Sequence, residues 1–326
     1  MAVITLPGLI DCHVHFRVPG QSYKEDWVTG SRAALAGGVT GVVDMPSNVP
    51  PVLSGADLAA KRALIAGDAQ VEYRLPIGVS DATIADALAG QADACSFKVF
   101  LQPHSTGMFV AADDTLHQLY QGAEKVIMVH DHTGVDRILP FVRQYKKPTY
   151  ICHVSMASEL AKIAAAKAEG LPLYAEVTLH HLWLDVCNQQ LGQRAKVNPP
   201  LRTAADREAL WAGIRNGTVD TIATDHAPHT IEEKDSAAGA AGFPSIEFFL
   251  PLLLTGVAQG KLTIDDIIRC CVTNPTQLFG FTGPRGTVTA DTELTWTVSQ
   301  ADIKTKCAWS PYFGWKLTGK ILDVSL

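Results

Sequence analysis

The sequence predicts an α/β fold, a (β/α)8 barrel of the TIM type with a small C-terminal β-rich appendage. Three observations carry that expectation. Short β-branched or apolar runs alternate with segments of helical periodicity along nearly the whole chain. Eight such strand candidates precede residue 230, and the 326 residues suit one barrel as a single unit. Strand and helix in alternation imply a parallel sheet, and eight units imply a closed one.

The strand candidates are residues 9–15, 39–45, 71–77, 94–101, 125–130, 149–154, 173–177 and 218–225. Between them, residues 25–36, 56–65, 82–88, 113–121, 135–145, 157–168 and 204–214 place apolar side chains at helical spacing. A doubly wound open sheet would show the same alternation, but it usually carries a Gly-rich first turn. Arg17-Val-Pro-Gly-Gln21 is not GxGxxG. The apolar run 248–257 contains Pro251 and Gly256 and is about half the roughly 20 residues a membrane span needs, so it is expected as a core helix. After Gly280 the pattern becomes short polar-apolar alternation, in 293–298 and 319–324. The expected division is therefore a barrel over 1–280 and a β-rich tail, 281–326, packed beside it.

Apolar residues at 47%, charged residues at 18% and a net charge of -6 argue against a nucleic-acid or anionic-membrane partner. Cys12, Cys95, Cys152, Cys187, Cys270, Cys271 and Cys307 are odd in number, scattered and without CxxC spacing. Neither a disulfide framework nor a cysteine zinc site is indicated, and a reducing, cytoplasmic location is expected. The first residues lack a basic stretch and run straight into a histidine pair, so they are expected to belong to the fold rather than to a leader.

That pair lies in Gly8-Leu-Ile-Asp-Cys-His-Val-His-Phe-Arg17. A strand's period of two puts His13 and His15 on one face, with Arg17 next along it. Two neutral imidazoles suit a divalent metal such as zinc, although HxH alone fits a strand end with two satisfied histidines equally well. Barrel function gathers at the C-terminal strand ends. That rule brings together His13, His15, Lys98, His130, His153 and Asp225. Singly, each has a duller reading: an edge lysine, core histidines, a capping aspartate. Jointly, the duller reading needs six coincidences.

Four histidines, an aspartate and a lysine suit two divalent metal ions, zinc by donor type, better than one. An ammonium would repel them. A deprotonated Lys98 that captures carbon dioxide becomes a carbamate whose two oxygens can bridge two cations. Water shared by the metals would then lose a proton and serve as nucleophile.

The combined pattern of residues 8–17, Lys98, His130, Ile-Cys-His153 and Thr-Asp225-His-Ala-Pro-His229 is similar to the amidohydrolase superfamily, and within it to the dihydroorotase family. Pro19-Gly-Gln-Ser-Tyr-Lys-Glu-Asp26, Lys196-Val-Asn-Pro-Pro-Leu-Arg202 and Gly242-Phe-Pro-Ser-Ile-Glu247 extend the resemblance, which covers residues 6–280 and Ser310-Pro-Tyr-Phe-Gly314.

The resemblance implies reversible hydrolysis of a six-membered cyclic amide, dihydroorotate to carbamoyl aspartate, in pyrimidine biosynthesis. His13, His15 and Asp225 would hold one metal, His130 and His153 the other, and carbamylated Lys98 the bridge. Asp225 would shuttle the proton, and Arg17 with His229 would hold the substrate carboxylate. The family's next contact is an asparagine directly after Met-Pro. This chain reads Met45-Pro-Ser-Asn48, one residue late, as allantoinases and related hydrolases do.

An allantoinase-like or hydantoinase-like cyclic amidase is thus the second reading, and a catalytically silent barrel kept as an assembly partner the third. A small-molecule substrate is expected, as is a homodimer or association with another pyrimidine-pathway enzyme. Residues 102–108 read either as a lid around Gly107 or as an inert surface loop. His104, His117, His132, His180, His181 and His226 receive no catalytic role, with His180 and His181 placed behind the site.

Overall fold

The computed structural model describes residues 2–103, 106–131, 135–283 and 285–326. Strand β1 (Val3–Pro7) lies ahead of the barrel. The barrel opens with β2 (Leu9–Val14), which pairs in parallel with β3 (Val39–Asp44), itself paired with β4 (Glu72–Arg74). The chain breaks at Leu75-Pro76, where proline has no N–H to give a ladder. It resumes as β5 (Ile77–Gly78) against β6 (Ser96–Phe100). Next come β7 (Val126–His130), β8 (Thr149–Ile151), β9 (Leu173–Thr178) and β10 (Thr221–Ala223), each parallel to its predecessor. Counting β4 and β5 as one interrupted strand gives the eight expected staves. The ring closes where Val14 and His226 form a parallel bridge and the His15 N–H donates to the His226 carbonyl at 2.8 Å.

Helices form at all seven expected places, among them Trp27–Ala36, Gly55–Ile65 and Ala204–Arg215, each started by a side-chain cap from Asp26, Ser54 and Thr203. The segment expected at 135–145 is helical only over Leu139–Tyr145. The apolar run forms the helix Phe249–Ala258, buried nearly throughout. Among the described residues, no helix is long and apolar enough to cross a membrane.

Two packing layers follow the strand period. Ile10, Cys12, Val43, Met45, Val126, Met128, Tyr150 and Cys152 fill the barrel with Phe279 and Phe281. Their sequence neighbours, such as Leu9, Val42, Ile127 and Ile151, face the helices in a separate core. The tail contributes β11 (Thr287–Thr297) and β12 (Lys316–Ser325), antiparallel to each other. The third strand of their sheet is β1, paired antiparallel with β11. That pairing joins residues 280 to 288 apart, Val3 with Asp291 to Pro7 with Thr287 by register, and the strand alternation did not announce it.

Candidate active site

The C-terminal strand ends converge on a cavity of about 1080 Å³ whose lining includes His13, His15, Arg17, His130, His153 and Asp225. His13 sits within β2, and Glu176 of β9 fixes its ring, with Nδ1 2.8 Å from Oε1. Its other nitrogen, Nε2, lies 3.4 Å from Asp225 Oδ1. His15 Nε2 stands 3.1 Å from the same oxygen, while Ser47 Oγ meets His15 Nδ1 at 3.0 Å. The Val14–His226 bridge explains this juxtaposition, because it places the residues flanking each partner side by side.

His130, at the end of β7, and His153, two residues past β8, face each other with Nδ1 and Nε2 2.7 Å apart. Arg17, His153 and Asp225 all take positive φ, at 64°, 40° and 47°. Such backbone costs about 1 to 3 kcal/mol per residue and persists where surrounding structure enforces it. Lys98, fully buried in β6, donates to Cys152 Sγ at 3.0 Å and lies 5.4 Å from the Phe100 ring centroid.

The donor set fits divalent metal. Ligand atoms of His13, His153 and Asp225 lie within 4.8 Å of one another. His153 Nδ1 is buried and has no hydrogen-bond partner among the described residues. Burial, then neighbouring His130, His13 and Lys98, drives His153 well below the ordinary imidazole value, leaving the neutral ring a metal ion needs. For His13, burial and Lys98 act downward, but the carboxylates of Glu176 and Asp225 outweigh them and push it up to about 10. A pair of carboxylates beside one imidazole is the electrostatic setting that a cation would share.

Substrate-binding candidates separate into two groups. Arg17 and His229 are brought together, Nη2 to Nε2 at 3.2 Å, with Arg17 Nε donating to the Pro228 carbonyl. Asn48 is not among the described residues that line the cavity. Its Nδ2 donates to the Val18 carbonyl at 2.9 Å and its Oδ1 accepts from Lys61 at 2.8 Å. Lys61, buried, also pairs with Asp44 at 2.7 Å and donates to the Met45 carbonyl. Asn48 thus holds the turn after β3, and the neighbouring Ser47 is the residue that faces the cavity.

Gln102, Pro103 and Thr106 line the mouth, whereas His104 and Ser105 of the lid segment, and His132, lie outside the described residues. His180 and His181 are buried around Thr178 Oγ1. His226 is clamped, Nε2 toward Glu25 at 3.2 Å and Nδ1 accepting from the Ser245 N–H at 3.1 Å. Sequence reasoning missed Glu176, although a carboxylate inside the apolar run Leu-Tyr-Ala-Glu-Val-Thr was a signal, since buried charges need partners.

Strand-end imidazoles and a carboxylate around one barrel mouth, with a buried lysine against Cys152 next to His153, define a metal-dependent hydrolase, and the chain belongs to the amidohydrolase family, which matches residues 4–293. Within that family it groups with the dihydroorotases. It is 34% identical over 345 residues to the dihydroorotase of Pyrococcus furiosus, covering 98% of this chain and 79% of that one. To the multifunctional protein pyr1-3 of Dictyostelium discoideum it is 36% identical over 334 residues, which is 99% of this chain and 15% of the larger protein. The chain thus spans only a small part of that multifunctional relative.

Among solved structures, L-hydantoinase from Arthrobacter aurescens superposes with a TM-score of 0.93 at 22% identity, over 99% of this chain and 84% of that one. The inactive dihydroorotase-like domain of a Chaetomium thermophilum CAD-like multifunctional protein gives 0.82 at 21%, over 99% and 93%. At these identities the likeness shows the barrel fold alone.

Proposed function

We propose that the chain is a dihydroorotase, reversibly hydrolysing the cyclic amide of dihydroorotate to N-carbamoyl-aspartate. The observation that carries the substrate is the meeting of Arg17 with His229 on the wall of the cavity that holds the metal-ligand cluster. A buried guanidinium calls for an anion, and its planar fork matches a carboxylate. A hydantoin or allantoin ring, which lacks that carboxylate, would leave the charge unanswered.

His13, His15 and Asp225 would hold one divalent ion, zinc by donor type, and His130 and His153 a second, with carbamylated Lys98 between them. Bound there, the two ions would supply an activated nucleophile at neutral pH and polarise the ring carbonyl. Asp225 takes the proton released on attack and passes it to the departing amide nitrogen, from a carboxylate steadied by the His13 and His15 rings. Arg17 and His229 orient the ring by its carboxylate, which makes the attack effectively intramolecular.

The silent-barrel reading is opposed by the presence of all six ligands. The chain is also proposed to work in the cytoplasm, as a homodimer or beside another pyrimidine-pathway enzyme, a reading supported by its likeness to a multifunctional protein. Metal content per chain, measured beside turnover of dihydroorotate, hydantoin and allantoin, tests the substrate. Preference for an uncharged ring would transfer the assignment to the hydantoinase-like alternative.

A further inference from the structure

The wall that carries Arg17 and His229 is backed by two side chains with no part in the reaction above. Lys24, 2% exposed, places Nζ 3.2 Å from His229 Nδ1 and 3.1 and 3.3 Å from the two Glu233 oxygens. Glu233 Oε2 is itself 3.1 Å from that same Nδ1. One imidazole nitrogen therefore faces an obligate donor and an obligate acceptor. It can use only one at a time: protonated, it donates to Glu233, and bare, it accepts from Lys24.

The far side of the ring decides which. His229 Nε2 lies 3.2 Å from Arg17 Nη2, and a guanidinium only donates. With no ligand, Nε2 accepts from Arg17, so the ring hydrogen sits on Nδ1 and points to Glu233. A carboxylate arriving at Arg17 reverses the requirement, because it only accepts. Nε2 must then carry the hydrogen, and Nδ1 needs a donor, which Lys24 already provides. Glu233 loses little, since it keeps Lys24, the Tyr23 hydroxyl and the Thr230 N–H at 3.1 Å.

We propose that Lys24 and Glu233 form a tautomer switch on His229, Glu233 holding the Nδ1–H form of the empty site and Lys24 holding the Nε2–H form that grips the substrate carboxylate. This inference rests on the proposed role of Arg17 and His229. The exchange is charge-neutral: one proton leaves Nδ1 for solvent and one arrives at Nε2. The ring stays neutral in both forms, since burial and the Arg17 and Lys24 cations push His229 down to about 3. Lys24 is thereby a positioning residue that sets specificity for an anionic ring.

The test uses metal-loaded enzyme with 15N-labelled histidine, assigned through His229→Asn. Orotate serves as a ring bearing the carboxylate and uracil as the same ring without it. Orotate is expected to move the His229 nitrogen shifts from the Nδ1–H to the Nε2–H pattern, and uracil to leave them unchanged. Lys24→Met is expected to abolish the orotate response and raise KM for dihydroorotate about 10-fold to 100-fold with kcat within a few-fold, as loss of one charge-assisted bond implies. Lys24→Arg, which keeps a donor, should recover part of the KM.

A wild-type enzyme that turns over dihydroorotate while its orotate-bound His229 stays Nδ1–H overturns the switch, without recourse to any variant. A folded Lys24→Met enzyme with wild-type KM overturns it too. Failure of wild type both to bind orotate and to turn over dihydroorotate overturns the function reading itself, and the switch with it.

Discussion

Glu176 Oε1 lies 2.8 Å from His13 Nδ1 and accepts the His153 backbone N–H at 2.8 Å, so one buried carboxylate aligns two candidate metal ligands from different strands. Its second oxygen accepts from the Tyr150 hydroxyl at 2.8 Å. Partners behind metal-ligating histidines typically govern 10-fold to 100-fold in affinity. Glu176→Gln is therefore expected to weaken metal binding by about that factor in competition with a chelator. Unchanged metal affinity would remove Glu176 from the centre.

Asp225→Asn should fold, because the amide has nearly the size and shape of the carboxylate and keeps an oxygen facing His15. Activity should fall by about 100-fold to 10,000-fold, the usual span for losing a positioned proton shuttle. Circular dichroism and metal analysis beside turnover separate the two effects. Substantial turnover by a folded, metal-loaded variant would refute the assigned role.

Lys98→Ala should lower metal occupancy, and a short carboxylic acid in the medium should partly restore activity by supplying bridging oxygens. Fully buried, Lys98 offers no reason to expect an effect from added acid if it only fills space. Two metals and full turnover in Lys98→Ala, with no acid added, would end the carbamate proposal.

Arg17→Met should reduce turnover of dihydroorotate about 10-fold to 100-fold or more, because charge-assisted pairing contributes roughly 1.5 to 3 kcal/mol, and it should spare hydantoin. Asn48→Ala should behave differently. With both ends of its amide engaged by Val18 and Lys61, it is expected to cost about 1 to 3 kcal/mol of stability and to affect charged and uncharged rings alike. A loss confined to dihydroorotate in Asn48→Ala would return Asn48 to the substrate.

The eight-fold alternation and the six strand-end candidates for metal binding were legible in the sequence, because strand period and helical period are local and the barrel rule converts strand ends into one mouth. Tertiary structure decided what alternation cannot encode. Cys12 packs inside the barrel and the next residue, His13, also turns inward to Glu176, where the register between β2 and β3 slips between Asp11 and Val14. A strict period of two would have sent one of them outward. Positive φ at His153 and Asp225 likewise aims side chains that a regular strand would misdirect. Asn48 turned away because Lys61, 13 residues on and brought back by its helix, claimed its carbonyl oxygen. The Lys24–Glu233 backing of His229 joins segments about 200 residues apart in sequence, a proximity that closure of the barrel creates and local pattern has no means to record.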